Sequence, residues 1–217
     1  MKIYVIRHGE TGANEEGRLQ GWLDEPLNDL GIKLAVETGE ALKGIKFAAA
    51  FSSPLIRARK TAELLLSNSG NGDTKITIDN RLKEIHMGTW EGKYIKGDKC
   101  EVPKEKIKAF FANFFQCGTM PEGENADQVC ARTQEFFREL IRKDIDGTVL
   151  VSTHGFAMRA LLNPLYDNRS DFWQGHVPYN CAVNIVEVQN GQCHLVGDEK
   201  IYYDKSLTYD RYIKIKS

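Results

Sequence analysis

The sequence predicts an α/β fold, a three-layer sandwich in which a mostly parallel central sheet has helices on both faces. Three short apolar runs, at residues 3–6, 48–51 and 148–152, have the length and composition of strands. Each is followed along the chain by a segment with helical spacing of apolar residues. Near-continuous apolar strands are typical of parallel sheets that are covered on both faces. The carboxyl ends of such strands are where α/β proteins bind ligands.

Composition limits the function classes. The 217 residues, 41% hydrophobic and 27% charged, predict a single domain over residues 1–217. The net charge of −1 argues against nucleic acid or an anionic membrane as a partner. We find no signal-peptide pattern at the start and no run near the ~18 apolar residues of a membrane span, so we expect a cytoplasmic protein.

The five cysteines are odd in number, widely spaced and without a CxxC pair. This pattern argues against a disulfide framework and against a zinc site. The chain also lacks a carboxylate cluster of the kind that binds Mg²⁺. We therefore expect reduced thiols, no metal and no cofactor.

The first strand ends abruptly in Arg7 and His8, followed by Gly9. An arginine offers a rigid fork of donors that matches phosphate oxygens, and a neutral imidazole is a competent nucleophile near neutral pH. Placed together at a strand end, they suggest capture of a phosphoryl group. The alternative is an ordinary surface ion pair.

A polar, turn-rich loop over residues 17–31 is expected to cover this strand end, before a helix that runs to about Lys43. Trp22 in the loop either stacks on a substrate or packs the loop onto the domain.

The second strand, 48–51, precedes a helix predicted over residues 54–66, with Ser53 as its cap and Pro54 at its first position. Arg57 falls in the first turn of this helix. A cation there opposes the helix dipole by up to ~1 kcal/mol unless an anion binds beside it. Arg57 is therefore a candidate anion ligand.

A third strand is predicted at residues 75–78, and residues 81–92 are too irregular for a long helix. Residues 93–123 are predicted to form an excursion with a short helix, acting as a lid. Six lysines there precede a cluster of phenylalanines, Phe110, Phe111, Phe114 and Phe115. A long scaffold helix with one apolar face should then extend to about Lys143.

The strand at 148–152 leads through Thr153 to His154, before a helix over residues 156–162. A second histidine thus repeats the position of the first. The chain continues in a hairpin, with strands 182–188 and 193–196 joined by Asn190-Gly191. The tyrosine-rich tail, Tyr202, Tyr203, Tyr209 and Tyr212, is expected to pack or to form an edge strand.

Four segments together resemble the histidine phosphatase superfamily, also called phosphoglycerate mutase-like. They are RHGET with Asn14 after it, SSPLIRARKTA, RLKEIHMGTWEG and the strand that leads to His154-Gly155. The resemblance covers about residues 1–196. The one departure is Thr153, which stands between the strand serine and His154 and should alter only loop detail.

The resemblance implies catalytic roles for Arg7, His8, Arg57, Glu84 and His154. His8 would be the nucleophile that forms a phosphohistidine, and Glu84 the residue that gives and takes protons. Arg7, Arg57 and His154 would hold the phosphate oxygens. An acceptor, which we expect to be a backbone carbonyl, must fix the other ring nitrogen of His8 as N–H. Further phosphate contacts are expected from the Asn14 amide and from a close backbone approach at Gly9, although both also suit ordinary loop residues.

The phosphatase branch is our first interpretation: metal-independent hydrolysis of a small phosphorylated metabolite. A cofactor-dependent phosphoglycerate mutase is the alternative. The chain has no arginine between Arg81 and Arg132, where mutases of this family resemble one another in extra arginines, but the lysines of the excursion could replace them. A non-catalytic phosphate-binding module is the third candidate. The sequence does not decide between a monomer and a homodimer.

Overall fold

A computed structural model describes residues 1–112, 115 and 117–207 of the chain. Its six strands are β1 (Lys2–Arg7), β2 (Phe47–Ser52), β3 (Ile76–Ile78), β4 (Thr148–Thr153), β5 (Val183–Gln189) and β6 (Gln192–Lys200). Its six α-helices are α1 (Gly12–Glu16), α2 (Asp29–Ala41), α3 (Ile56–Asn68), α4 (Lys104–Ala112), α5 (Ala126–Arg142) and α6 (Gly155–Leu162). Short 3₁₀ turns occupy much of the segment between β3 and α4. Phe114, Tyr209 and Tyr212 lie outside the described residues.

One mixed sheet contains all six of these strands, in the order β3-β2-β4-β1-β5-β6. Strands β1 to β4 are parallel, whereas β5 is antiparallel to β1 and forms a hairpin with β6. Asn190 and Gly191 at the hairpin turn both have positive φ, 51° and 74°, as a tight two-residue turn requires. The predicted mostly parallel sheet and its terminal hairpin are confirmed.

Alternate residues of each central strand face opposite helical layers. Ile3 and Val5 of β1 pack into one core with α5 and α6. Tyr4 and Ile6 pack into a second core with α2 and α3. The three-layer α/β sandwich predicted from the sequence is therefore confirmed.

A third apolar cluster lies beside the sandwich and joins the segment after β3 to α4 and to the loop before β5. Its buried members include Ile85, Met87, Trp90, Phe110, Phe156, Phe172 and Trp173. Helix α4 lies within the predicted excursion at residues 93–123. Its role as a lid, and the single domain over residues 1–217, stay predictions.

The predicted start of α3 was wrong. Its first helical residue is Ile56 rather than Pro54, and Ser53 does not cap it. The amide of Ser53 instead donates to Ser152 O and extends the pairing of β2 with β4. The first amide of α3 is bonded instead by the loop that precedes α2, where Asp24 Oδ1 accepts from the Ile56 amide at 2.7 Å.

Candidate active site

Strands β1 and β4 are parallel neighbours, and Arg7 is paired with Thr153 at their carboxyl ends. The amide of His8 donates to the Thr153 carbonyl at 2.9 Å, which holds the two strand ends together. The rings of His8 and His154 consequently lie with their centroids 5.1 Å apart. The sequence placed the two histidines at equivalent strand ends, and the sheet register brings them together.

The tautomer of His8 is set by its neighbour. Its Nδ1 lies 2.6 Å from the Gly9 carbonyl oxygen. A carbonyl oxygen only accepts hydrogen bonds, so Nδ1 carries the proton and Nε2 carries the lone pair. The acceptor is a backbone carbonyl, as we expected from the sequence.

Both histidines are held in their neutral form. Burial, and then the charges of Arg57 and Arg7, lower the pKa of His8 well below its ordinary value. Burial and Arg57 likewise lower the pKa of His154. His154 Nε2 lies 2.8 Å from Ser53 Oγ.

The guanidinium of Arg57 is completely buried. It donates to the carbonyl oxygens of Leu23 and Gly21, both at 2.8 Å. The loop before α2 thus supplies hydrogen-bond acceptors to this cation at the amino-terminal end of α3. Burial lowers the pKa of Arg57 to about 10, and the nearby charge of Glu84 opposes this shift.

Arg7 donates through Nη1 to the Pro178 carbonyl oxygen. The Nε groups of Arg7 and Arg57 are buried and have no hydrogen-bond partner within the described part of the chain. Burying unpaired charged donors costs free energy. Both arginines therefore keep a donor that the described part of the chain does not satisfy, and both residues line the cavity described below.

Glu84 lies at the amino-terminal end of α6. Its Oε1 accepts from the Ala157 amide at 3.0 Å, and its Oε2 from the Phe156 amide at 3.2 Å. Its own neighbour Ile85 donates to Oε1 at 3.0 Å. The carboxyl group is thus fixed by backbone donors rather than by a flexible side chain.

Several of these groups line one cavity, which is open to solvent. Arg7, His8, Asn14, Arg57 and Glu84 all belong to its wall. The apolar part of the wall includes Met87, Phe110, Phe111, Phe156, Trp173 and Val177. His154 is not part of the wall, because it is fully buried behind it, against the ring of His8.

Gly9 does not belong to this wall either. Its amide donates to Thr61 Oγ1 at 2.9 Å, and a Cβ at Gly9 would come within 2.5 Å of the Gly31 carbonyl oxygen. The backbone at Gly9 therefore approaches α2 closely. The predicted contact of Gly9 with substrate stays a prediction.

The sequence analysis missed Asn180. This buried residue lines the cavity and donates to the His8 carbonyl at 3.0 Å and to Asn14 Oδ1 at 3.3 Å. Residues 163–181 have neither helical nor strand periodicity, so Trp173 of the cavity wall was missed with it. The one sequence feature that could have indicated a site in this segment is the polar pair Tyr179-Asn180, which comes shortly before the apolar strand β5.

Trp22 packs rather than lining the cavity. Its ring lies 4.5 Å from that of His86, and its Nε1 donates to the Glu84 carbonyl oxygen at 2.7 Å. Of the two alternatives for Trp22, packing of its loop onto the domain is therefore the one observed. Trp22 also ties the covering loop to the backbone of Glu84.

Membrane-spanning helices and metal-holding clusters are both absent from residues 1–112, 115 and 117–207. No helix in these ranges combines the length and apolar character needed to cross a bilayer. In the same ranges, no group of three or more histidine, cysteine, aspartate or glutamate residues is arranged to hold a metal ion.

Fold and site together define an α/β protein with a cavity that is lined by two arginines and a carboxyl group around a neutral, buried histidine. The chain belongs to the histidine phosphatase superfamily (branch 1), which its sequence matches over residues 3–199. A probable phosphoglycerate mutase GpmB from Salmonella arizonae is 29% identical over 192 residues, which cover 88% of this chain and 87% of the relative.

Two solved structures are similar over more than nine tenths of their length. Bacillus stearothermophilus YhfR has a TM-score of 0.83 and 31% identity, and the match covers 92% of this chain and 97% of that one. A mycobacterial glucosyl-3-phosphoglycerate phosphatase has a TM-score of 0.78 and 26% identity, with 91% and 98% covered. The similar proteins thus include both a phosphatase and a probable mutase.

Proposed function

We propose that this protein is a metal-independent phosphatase that hydrolyses a small phosphomonoester through a phosphohistidine on His8. The observation that carries the proposal is the 2.6 Å contact between His8 Nδ1 and the Gly9 carbonyl. It leaves Nε2 as a lone-pair nucleophile in a cavity that also holds two arginines and a carboxyl group.

In the first step, His8 Nε2 attacks phosphorus and the bond from phosphorus to the alcohol oxygen breaks. The electron pair of that bond goes to the alcohol oxygen, which takes a proton from the protonated Glu84 carboxyl group. Arg7 and Arg57 stabilise the charge on the three non-bridging oxygens.

In the second step, water attacks the phosphorus of the phosphohistidine and gives its proton to the Glu84 carboxylate. The N–P bond breaks, and its electron pair returns to Nε2. The sum is one ester and one water converted to one alcohol and one phosphate, with both residues restored. His154 supports this cycle by packing against the ring of His8. Asn14, which lines the cavity, contributes its side-chain amide as a further contact to a phosphate oxygen.

A second candidate is the phosphoglycerate mutase activity named for the Salmonella relative. Its support is the presence of Arg18 and Lys96 in the cavity wall, where they could hold a substrate carboxylate. Arg18, however, already forms ion pairs with Glu16 at 2.6 Å and Glu25 at 2.9 Å. Hydrolysis, which needs no second anion site, therefore remains the first candidate.

The test is incubation with a panel of phosphomonoesters that includes 3-phosphoglycerate, with and without 2,3-bisphosphoglycerate. Free phosphate and isomerised product are followed together. We expect phosphate release that is lost in His8→Ala. Rapid isomerisation that depends on the bisphosphate, with little phosphate released, would instead make the protein a mutase.

A further inference from the structure

The cavity has a polar end and an apolar end, and Phe156 connects them. The amide of Phe156 donates to Glu84 Oε2 at 3.2 Å. Its ring belongs to the aromatic cluster that lines the cavity, with its centroid 5.6 Å from that of Trp173. The apolar end therefore begins at the residue that holds the proposed acid.

The position of Phe156 beside Glu84 indicates that it would contact the alcohol part of the substrate. In the proposed reaction, Glu84 protonates the oxygen that joins phosphorus to the alcohol. The carbon chain attached to that oxygen must then extend from Glu84 along the cavity, away from His8. Phe156, whose amide is bonded to Glu84, places part of the aromatic wall beside that path.

The wall is rigid and offers no hydrogen bond through its indole. Phe110, Phe156 and Trp173 are each at most 4% exposed. The Trp173 Nε1 donates to the Phe110 carbonyl at 2.9 Å, so its one polar group is used within the protein. Such a surface binds apolar groups and disfavours hydroxyl or carboxylate groups that would lose their hydration.

Phe111 is the member of the wall that a ligand would cover. It is partly exposed, lines the cavity, and its ring centroid lies 5.9 Å from that of Trp173. Helix α4, which carries Phe110 and Phe111, is joined to Trp173 by the hydrogen bond from the indole to the Phe110 carbonyl. An aromatic group in the cavity could therefore pack on the exposed part of the Phe111 ring, next to Trp173.

We propose that the substrate is a phosphomonoester whose alcohol part is aromatic or otherwise apolar, and that Phe111 is a residue that determines this specificity. The proposal rests on the proposed phosphatase function. It assigns the phosphate to the arginine end of the cavity and the organic group to the aromatic end.

The test compares 2-phenylethyl phosphate, glycerol 1-phosphate and 3-phosphoglycerate. All three release a primary alkoxide, so differences among them report on binding of the organic group rather than on leaving-group chemistry. We expect kcat/KM for the phenylethyl ester to be at least about tenfold above that of the other two. Equal values, or a preference for 3-phosphoglycerate, would overturn the proposal.

Phe111→Ala tests the assigned residue. We expect its kcat/KM to fall about tenfold for the phenylethyl ester, mainly through KM, and less than about twofold for glycerol 1-phosphate. Phe111→Leu should keep most of the preference. The matched control is Phe115→Ala, which removes a phenylalanine that packs on Phe172 outside the cavity wall and should leave the preference unchanged. Equal losses on both esters in Phe111→Ala would overturn the role of Phe111.

The same data separate this inference from the proposed function. Hydrolysis of all three esters without preference contradicts only the specificity. Isomerisation of 3-phosphoglycerate in place of hydrolysis contradicts the phosphatase function, and the specificity with it.

Discussion

The guanidinium of Arg132 holds the backbone of Glu84 in place. Its Nη2 donates to the Glu84 carbonyl oxygen at 2.9 Å, and its Nη1 donates to the carbonyl oxygens of Arg81 and Lys83 at 2.8 and 2.6 Å. One side chain of helix α5 thus binds three carbonyl groups of the irregular segment that carries the proposed acid.

Glu124 completes this arrangement. Its carboxylate accepts from Nε and Nη2 of Arg132, both at 2.8 Å, and its Oε2 accepts from the His86 amide at 2.9 Å. The ion pair therefore fixes the chain on both sides of Glu84. Arg132 is a positioning residue for Glu84 in this account, because it reaches the backbone and not the cavity.

Replacing Arg132 by methionine should slow glycerol 1-phosphate hydrolysis about 10- to 100-fold, because the proton donor is misplaced. Turnover of p-nitrophenyl phosphate should change less than about threefold, because its phenolate leaving group needs little protonation. Glu84→Gln should show the same dependence on the leaving group. Arg132→Lys should recover part of the loss.

Arg138→Met is the matched control, since Arg138 is an exposed arginine of the same helix. It should leave both substrates unaffected. If Arg132→Met slowed both substrates equally, its role would be structural and not the positioning of Glu84.

The contact between Gly9 and Gly31 predicts a large effect on stability. A Cβ at Gly31 would come within 2.1 Å of the Glu10 carbonyl oxygen, and backbone cannot yield as a flexible side chain can. Gly31→Ala should therefore lower the free energy of unfolding by about 3 kcal/mol or more. Chemical denaturation measures this value.

Gly72→Ala provides the comparison, because a Cβ there has its nearest neighbour at 3.8 Å. It should change stability by less than about 1 kcal/mol. A Gly31→Ala protein as stable as Gly72→Ala would show that α2 and the Gly9-Glu10 backbone are not in the close contact described above.

The lowered pKa of His8 makes stability depend on pH. Between its folded-state pKa and the ordinary value of about 6.5, the unfolded chain binds a proton at His8 that the folded protein does not. Stability should therefore fall as the pH falls below about 6.5, by up to about 1.4 kcal/mol per pH unit from this residue.

Urea unfolding of the wild type and His8→Gln, above and below pH ~6.5, measures this effect. His8→Gln should have the shallower slope, while the lowered pKa of His154 keeps part of the dependence in both proteins. Identical slopes would mean that His8 does not resist protonation in the folded protein.

A chelator should leave hydrolysis unchanged. The positive charge that stabilises the transferred phosphoryl group is supplied in this account by Arg7 and Arg57. The measurement is phosphate release before and after dialysis against EDTA. Loss of activity that a divalent cation restores would contradict a metal-independent reaction.

The central sheet could be predicted because β1, β2 and β4 are short apolar runs whose ends are marked by charged or polar residues. Such runs indicate strands without information from the rest of the chain. The positions of His8 and His154 followed, because parallel strands end at one edge of a sheet.

The remaining parts of the site depend on contacts between distant segments. The hydrogen bond from the Ile56 amide to Asp24 fixes the start of α3, and Gly31 of α2 is the residue that the Gly9 backbone contacts. Neither effect has a local sequence signal. The aromatic wall combines Phe111 with Trp173, and Trp173 lies in a segment without periodicity, so the cavity's apolar end could not be predicted.

Trapping of the phosphoenzyme tests the central claim most directly. The protein is mixed with a phosphomonoester, quenched in alkaline denaturant within the first turnover, and digested, and the phosphorylated residue is located by mass spectrometry. We expect a phosphoryl group on His8 that appears before free phosphate is released and is absent in His8→Gln. Steady hydrolysis without a phosphorylated His8, or a phosphoryl group on another residue, would contradict it.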